Sequence, residues 1–281
     1  MNITSGDLRL YMHCPRAYQL SHTVEKKPTL SMAKAGIARF VIRAGNISFF
    51  DLAWGSGTSR VDEKELGKQV TKKETKEQRE KKKLREQLSN FFAIEKQETV
   101  AQEISYEFDL LDFAFSGIID QIRHIEGKTT IWQFSTSSQE PPEVYLQRNF
   151  YISLACYAAW KGKLSIAPKA SVYTCTEDET EIIDVGIIPD CYVYHLPALE
   201  MLKKKCNGRE KGDLKGNPLI PANRSEQFLL DFEYELLQVA GLIQAGYFPM
   251  FPAHPRCNLC RYSKECKSEL VSKNDNKIED F

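Results

Sequence analysis

The chain has 281 residues, 42% of them hydrophobic, and its 38 Lys+Arg balance 38 Asp+Glu. That is enough apolar material for the core of one large domain or two small ones, and it excludes wholesale disorder. A formal net charge of +0 gives no global field for a polyanion, so any such surface is a local patch, and no apolar run is long enough to span a bilayer.

The opening, Met1-Asn2-Ile3-Thr4-Ser5-Gly6-Asp7, lacks the basic head and apolar stretch of a secretory leader, so a cytoplasmic location is expected. Thr4 and Ser5 can cap a first helix running through Cys14-Pro15-Arg16-Ala17-Tyr18, with Pro15 suited to a first turn where the helix restarts. Residues 31–44 read as a second helix with Ile37, Phe40 and Val41 on one side. A charge-rich run, including Lys72-Lys73 and Glu80-Lys81-Lys82-Lys83, shows no apolar period and forms a helical insertion over 62–90. It is a long exposed helix or a mobile arm. Its interleaved glutamates favour a solvated face over a phosphate-binding one.

The middle of the chain changes character. Ile104, Tyr106 and Phe108 alternate as on a half-buried strand ending at Leu110, and Leu111-Asp112 makes a turn. Residues 113–125 form a second strand, Glu126-Gly127 a hairpin turn, and 128–135 a third strand. Pro141-Pro142-Glu143 opens a helix that continues to about residue 161 and is apolar enough to lie buried against the sheet. Residues 172–175 and 181–185 look like two further strands. Two helices are expected at about 190–206 and 225–245, separated by a polar loop over 206–223. Residues 267–281 form a polar tail expected to be disordered. The order predicts a single α/β domain over 1–266, with a central mixed sheet flanked by helices.

Three cysteines, Cys257, Cys260 and Cys266, stand as C-x2-C-x5-C among turn-forming residues, and Cys14 lies near the other end. A Cys-x-x-Cys turn brings two thiolates to one centre and a third nearly completes the shell, a pattern for zinc or an iron–sulfur cluster. With Cys14 as fourth ligand, the site would clasp the N-terminal helix to the C-terminal loop. Cys156, Cys175, Cys191 and Cys206 are scattered singly and read as packing residues.

The order Cys14-Pro15-Arg16-x-Tyr18, Gly117-Ile118-Ile119-Asp120 on a strand, a following strand, Gln147-x-x-x-Tyr151 on a helix, and C-x2-C-x5-C resembles the RecB-type nucleases of the PD-(D/E)XK superfamily. The iron–sulfur members are the best match, among them CRISPR-associated exonucleases and AddB-type nuclease domains. The resemblance spans about residues 8–266. It implies a restriction-endonuclease-like core and a 4Fe–4S cluster on Cys14, Cys257, Cys260 and Cys266, with zinc left open by the spacing alone. It also implies phosphodiester hydrolysis with magnesium or manganese, hard cations held by acids on adjacent strands, beside a lysine that stabilises developing charge.

Here the third strand departs from that pattern. Gln133 stands where the acid belongs and Ser135 where the lysine belongs, although Thr136 matches. The helix histidine expected four residues after Gly36 is Phe40. Asp120 is the acid left in place. Loss of one such electrostatic group commonly costs roughly 3–4 kcal/mol of transition-state stabilisation. The resemblance places Gln147, Arg148 and Tyr151 beside DNA phosphate. One reading is therefore a pseudo-nuclease that binds DNA, or a helicase or other DNA-processing protein, in repair, recombination or CRISPR adaptation. The other is an active metal-dependent exonuclease with a rearranged site, with Glu103 or Glu143 as migrated ligand. A redox-sensing cluster protein has nothing beyond the cysteines to support it.

Overall fold

The computed structural model describes residues 1–61, 66–67, 69–71, 74–95, 99–137, 149–162, 164, 186–206, 209–214, 216–249, 257 and 260–268. The chain starts with strand β1 (Asn2–Thr4) and passes directly into α1 (Ser5–His13). Thr4 is the cap. Its hydroxyl accepts from Asp7 N–H at 3.1 Å, and the Asp7 carboxylate accepts from Thr4 N–H at 3.0 Å. Cys14, in extended conformation, separates α1 from α2 (Pro15–Thr23), where proline takes the first position and its missing N–H is no loss. Helix α3 (Leu30–Arg43), a single 3₁₀ turn (Ile47–Phe49) and α4 (Phe50–Thr58) follow.

Two short strands, β2 (Gln69–Thr71) and β3 (Glu74–Thr75), precede α5 (Lys76–Ile94). The insertion expected over 62–90 is thus in good part a packed element. The first turns of α5 are charged, but Leu84, Leu88 and Phe91 recur at helical spacing and are buried, together with Gln87. Short apolar stripes of this kind are masked when the flanking sequence is dense in Lys and Glu.

The next three strands form as the alternation predicted: β4 (Thr99–Leu110), β5 (Phe113–Ile125) and β6 (Lys128–Ser135), an antiparallel meander. Its second turn has Glu126 and Gly127 both at positive φ, +50° and +78°, the geometry of a tight hairpin turn. Helix α6 (Phe150–Trp160) is buried on nearly all sides. Its expected start at Pro141, and the expected strands at 172–175 and 181–185, lie outside the described residues.

The helix expected at 190–206 is not one. Residues 190–195 form strand β7 (Asp190–His195), then a 3₁₀ turn (Leu196–Leu199) and strand β8 (Met201–Cys206). The period there is two: Cys191 and Val193 face one core while Tyr194 faces the other, and Pro197 bars a continuous helix. The stretch expected as loop holds β9 (Arg209–Leu214), paired with β8, and β10 (Leu219–Pro221), paired with β7. Helix α7 (Glu226–Gln244) forms as expected. Lys267 and Ser268, expected in the tail, finish a helical turn begun at Ser263.

Six described strands make one mixed sheet in the order β1-β5-β6-β7-β10, with β4 on the other edge of β5. Helices α1, α6 and α7 cover one face over Ile104, Phe108, Phe115, Ile131 and Val193. Helices α3, α4 and α5 cover the other over Trp132, Phe134 and Tyr194. Consecutive residues of β6 feed opposite cores, as a doubly covered sheet requires. Among the described residues no helix is long and apolar enough to cross a membrane.

Candidate functional site

Strand β5 is shared unequally. β4 pairs with one edge along most of its length. On the other edge, β1 pairs with Ala114–Ser116 and β6 with Gln121–Ile125, leaving 117–120 as a gap between two diverging partners. Asp120 closes the gap. Its Oδ2 accepts from the Phe134 backbone N–H at 2.8 Å, replacing the ladder bond that the divergence removes. Gly117 opens it. Tyr106 lies directly opposite on β4, and a Cβ on Gly117 would stand 2.4 Å from the tyrosine hydroxyl oxygen. Only glycine lets that ring cross the strand.

Opposite the gap, Glu103 on β4 falls in register with Asp120, between the pairs Gln102–Gln121 and Ile104–Ile119. Its backbone is left-handed, φ +50°, which for a glutamate is strained and swings its side chain out of the regular pleat. Helix α3 crosses over both acids. Arg39 Nε stands 2.7 Å from Asp120 Oδ1, and Arg43 pairs with Glu103. Arg39 and Arg43 are four residues apart, so they share a helix face. The Arg39 Nε–H is not aimed for a linear hydrogen bond, which makes the pairing chiefly charge against charge. Asp120 is deeply buried, its side chain 4% exposed against 39% for Arg39. Burial pushes its carboxyl above the ordinary range, and Arg39 with the Phe134 N–H pulls it back only in part.

The replaced positions are occupied by internal structure. Gln133 Oε1 accepts from Asn149 Nδ2 at 2.7 Å, and Asn149 caps α6 through Ile152 N–H. The Ser135 hydroxyl accepts from Ser137 N–H at 3.4 Å. Phe40 is exposed on α3, with the Arg43 guanidinium 5.4 Å from its ring centre. Tyr151 points toward α1, under the Arg9 guanidinium at 5.9 Å. Gln147, Arg148 and Glu143 lie outside the described residues. Sequence reading missed Arg39, Arg43 and Asn149, although two arginines four apart around Phe40 on an otherwise apolar helix were a usable signal. It also missed His195, which pairs across from Ser135, is buried, and donates from Nε2 to the Ser137 carbonyl at 2.9 Å.

The cysteines gather at a second place. Tyr262 is buried against Ala17 and Leu20, with Cys14, Cys260 and Cys266 packed around them. Cys260 N–H bonds Cys257 O at 3.3 Å and Cys266 N–H bonds Tyr262 O at 3.0 Å, folding the loop back on itself. The loop is tied to the segment after α2: Lys26 pairs with Glu265, and Arg261 donates to Lys27 O at 3.2 Å. Cys14, Cys257, Cys260 and Cys266 are not in disulfides. Burial pushes the Cys266 thiol up, Arg16 draws it down, and Cys14, Cys257 and Cys260 push it up again, so all four share one electrostatic neighbourhood.

A family model of the PD-(D/E)XK nuclease superfamily matches residues 49–267. The chain belongs to the PD-(D/E)XK nuclease superfamily. No curated protein matches it. The match takes in Asp120, Gln133, Ser135 and the three C-terminal cysteines, and begins after α3 and Cys14. The catalytic dication that this superfamily implies does not fit the donors described. The two acids that face each other across β4 and β5 are each paired with an arginine, and the Gln133 amide oxygen is taken by Asn149. Adding a dication to that neutral quartet would set it against two guanidinium groups. Among the described residues no three His, Cys, Asp or Glu side chains stand close enough for one metal ion. A cubane cluster is wider than a single ion and would be held by Cys14, Cys257, Cys260 and Cys266, the cysteines that share the neighbourhood of Cys266.

Proposed function

We propose that this superfamily member is a non-catalytic nuclease-fold protein that binds DNA at the gap in its sheet and carries a 4Fe–4S cluster on Cys14, Cys257, Cys260 and Cys266. The observation that carries the reading is the pairing of Asp120 with Arg39. A metal-dependent phosphodiesterase needs acids free to bind a hard cation, and a base or cation at the attacked phosphate. Here the acids are matched from within, and Gln133 and Ser135 bring neither charge. The cluster, when bound, would hold the C-terminal loop on α2 and contribute folding free energy. Such a protein acts beside a helicase or another DNA-processing partner in the cytoplasm rather than alone.

One observation favours the active alternative: Glu103 stands across from Asp120 and would serve as a second acid if Arg39 and Arg43 swung away. A cleavage assay separates the two. The expected result is no hydrolysis of single- or double-stranded DNA above background with magnesium or manganese. Gln133→Glu with Ser135→Lys is expected to stay inactive and to gain manganese-dependent cleavage only when Arg39→Ala is added. Turnover by the unaltered protein that disappears in Asp120→Ala or Glu103→Gln would overturn the non-catalytic reading.

A further inference from the structure

The quartet over the sheet gap has a positive side as well as a neutralised one. Asp120 is almost sealed from solvent and Arg39 Nε is fully buried, yet 39% of the Arg39 side chain is exposed. The exposed part is therefore the outer portion, which carries the two terminal amino groups. Arg43, on the same face one turn along, is 47% exposed, and Phe40 beside it is 38% exposed. An arginine fixed by a buried carboxylate through one nitrogen has lost most of its side-chain freedom before any ligand arrives. Its remaining fork matches two oxygens of a phosphate. An exposed aromatic ring beside the Arg43 guanidinium adds a surface on which a base can stack.

Resting on the reading that this cleft meets DNA, we propose that Arg39 and Arg43 do the electrostatic work a bound dication would otherwise do. Asp120 and Glu103 hold them, and they present their outer amino groups to the backbone phosphates of a single DNA strand whose base stacks on Phe40. The two guanidinium groups carry the charge of one divalent cation. Like a carboxylate-bound cation, they remain able to bind phosphate: Asp120 engages Arg39 only through Nε and leaves its terminal fork open, and Glu103 takes Arg43 through Nη1 and leaves the rest of that guanidinium. This would make DNA binding independent of divalent metal, unlike the binding mode of a two-acid cation site. It also assigns Glu103 a purpose: its strained backbone turns the carboxylate toward Arg43.

The test is fluorescence anisotropy of the full chain on a labelled oligothymidine strand, titrated at several salt concentrations in EDTA and again in magnesium. Equal or tighter affinity in EDTA is expected. Arg39→Met should weaken binding about tenfold or more and lower the slope of log affinity against log salt by about one. Phe40→Ala should weaken single-strand binding more than duplex binding. Arg39→Lys, which keeps the charge and cannot reach both Asp120 and a phosphate as a fork, should fall between, while Arg85→Met on α5 should change nothing. Melting curves of each variant separate lost binding from lost fold. Unchanged affinity in folded Arg39→Met overturns this proposal and leaves DNA binding elsewhere on the protein intact. Binding that requires magnesium and vanishes in Asp120→Ala overturns it in favour of a bound dication. Absence of binding at low salt removes the DNA-binding reading itself, and this proposal with it.

Discussion

At the gap in the sheet, two acids meet two arginines; at the corner where the C-terminal loop meets α2, four cysteines gather with Arg16. The first group is balanced by side chains of the protein itself. In the second, burial raises the Cys266 thiol, Arg16 draws it down, and the three neighbouring cysteines add to the rise. Both places lie within or beside the same superfamily fold, so the fold alone does not say which of its two centres is in use. Charge separates them: the gap is a set of matched ion pairs, whereas the corner is a set of thiols with Arg16 beside Cys266.

The largest effect is expected at the corner. Cys257→Ala or Cys14→Ala should bleach the visible absorbance of anaerobically purified protein and lower its melting temperature far more than a surface change. Structural metal sites contribute about 10 kcal/mol or more to folding. Iron and sulfide content together with the spectrum check this. A colourless protein holding one zinc would keep the corner and change its metal, and a stable metal-free protein would erase the contrast between the two places.

A middle-sized effect is expected at the frame of the gap. Gly117→Ala drives a methyl into the Tyr106 ring and should cost roughly 1–3 kcal/mol in chemical denaturation, as other overpacking changes do. A neutral result would mean that β4 and β5 can separate there, and that Asp120 is less rigidly held than its bond to Phe134 implies.

The smallest effect has the opposite sign. The Asp120 carboxyl is raised above its ordinary value by burial. A group with a raised folded-state pKa costs stability as pH climbs through the unfolded value, about 3.9, and the full cost applies above the folded one. Asp120→Asn should therefore raise the melting temperature by a few degrees at most at pH 7, with the gain fading as pH falls toward about 4. Lower stability at pH 7 would show that pairing with Arg39 outweighs desolvation, and would strengthen the balanced picture of the gap.

The meander was legible because its signals are local: Ile104, Tyr106 and Phe108 alternate, and Glu126-Gly127 sits where a tight turn needs positive φ. The capped restart at Pro15 was legible for the same reason. Strand β7 was not, because Cys191, Val193 and Tyr194 are buried on opposite faces and a doubly buried strand shows no alternation in polarity. At the centre, the replaced positions Gln133 and Ser135 could be found by their place on a strand. Their new partners could not. Arg39 meets Asp120, and Asn149 meets Gln133, only after three separate elements converge. Glu103 was named as a possible metal ligand. It falls in register with Asp120, and its carboxylate is engaged by Arg43.

The pairing of β1 with β5 carries a consequence for the order in which the molecule can be assembled. Residues 2–4 have their partners at residues 114–116, and Ala17 and Leu20 of α2 have theirs at Tyr262 of the cysteine loop. The first strand must wait for the middle of the chain, and the second helix for nearly all of it. Contacts this distant are slow to form, because the closure entropy of a long loop is lost before any bond compensates it. Strand β1 therefore has no sheet partner until β5 is made, and Cys14 gains its neighbours Cys260 and Cys266 only after the rest of the described strands and helices have been made.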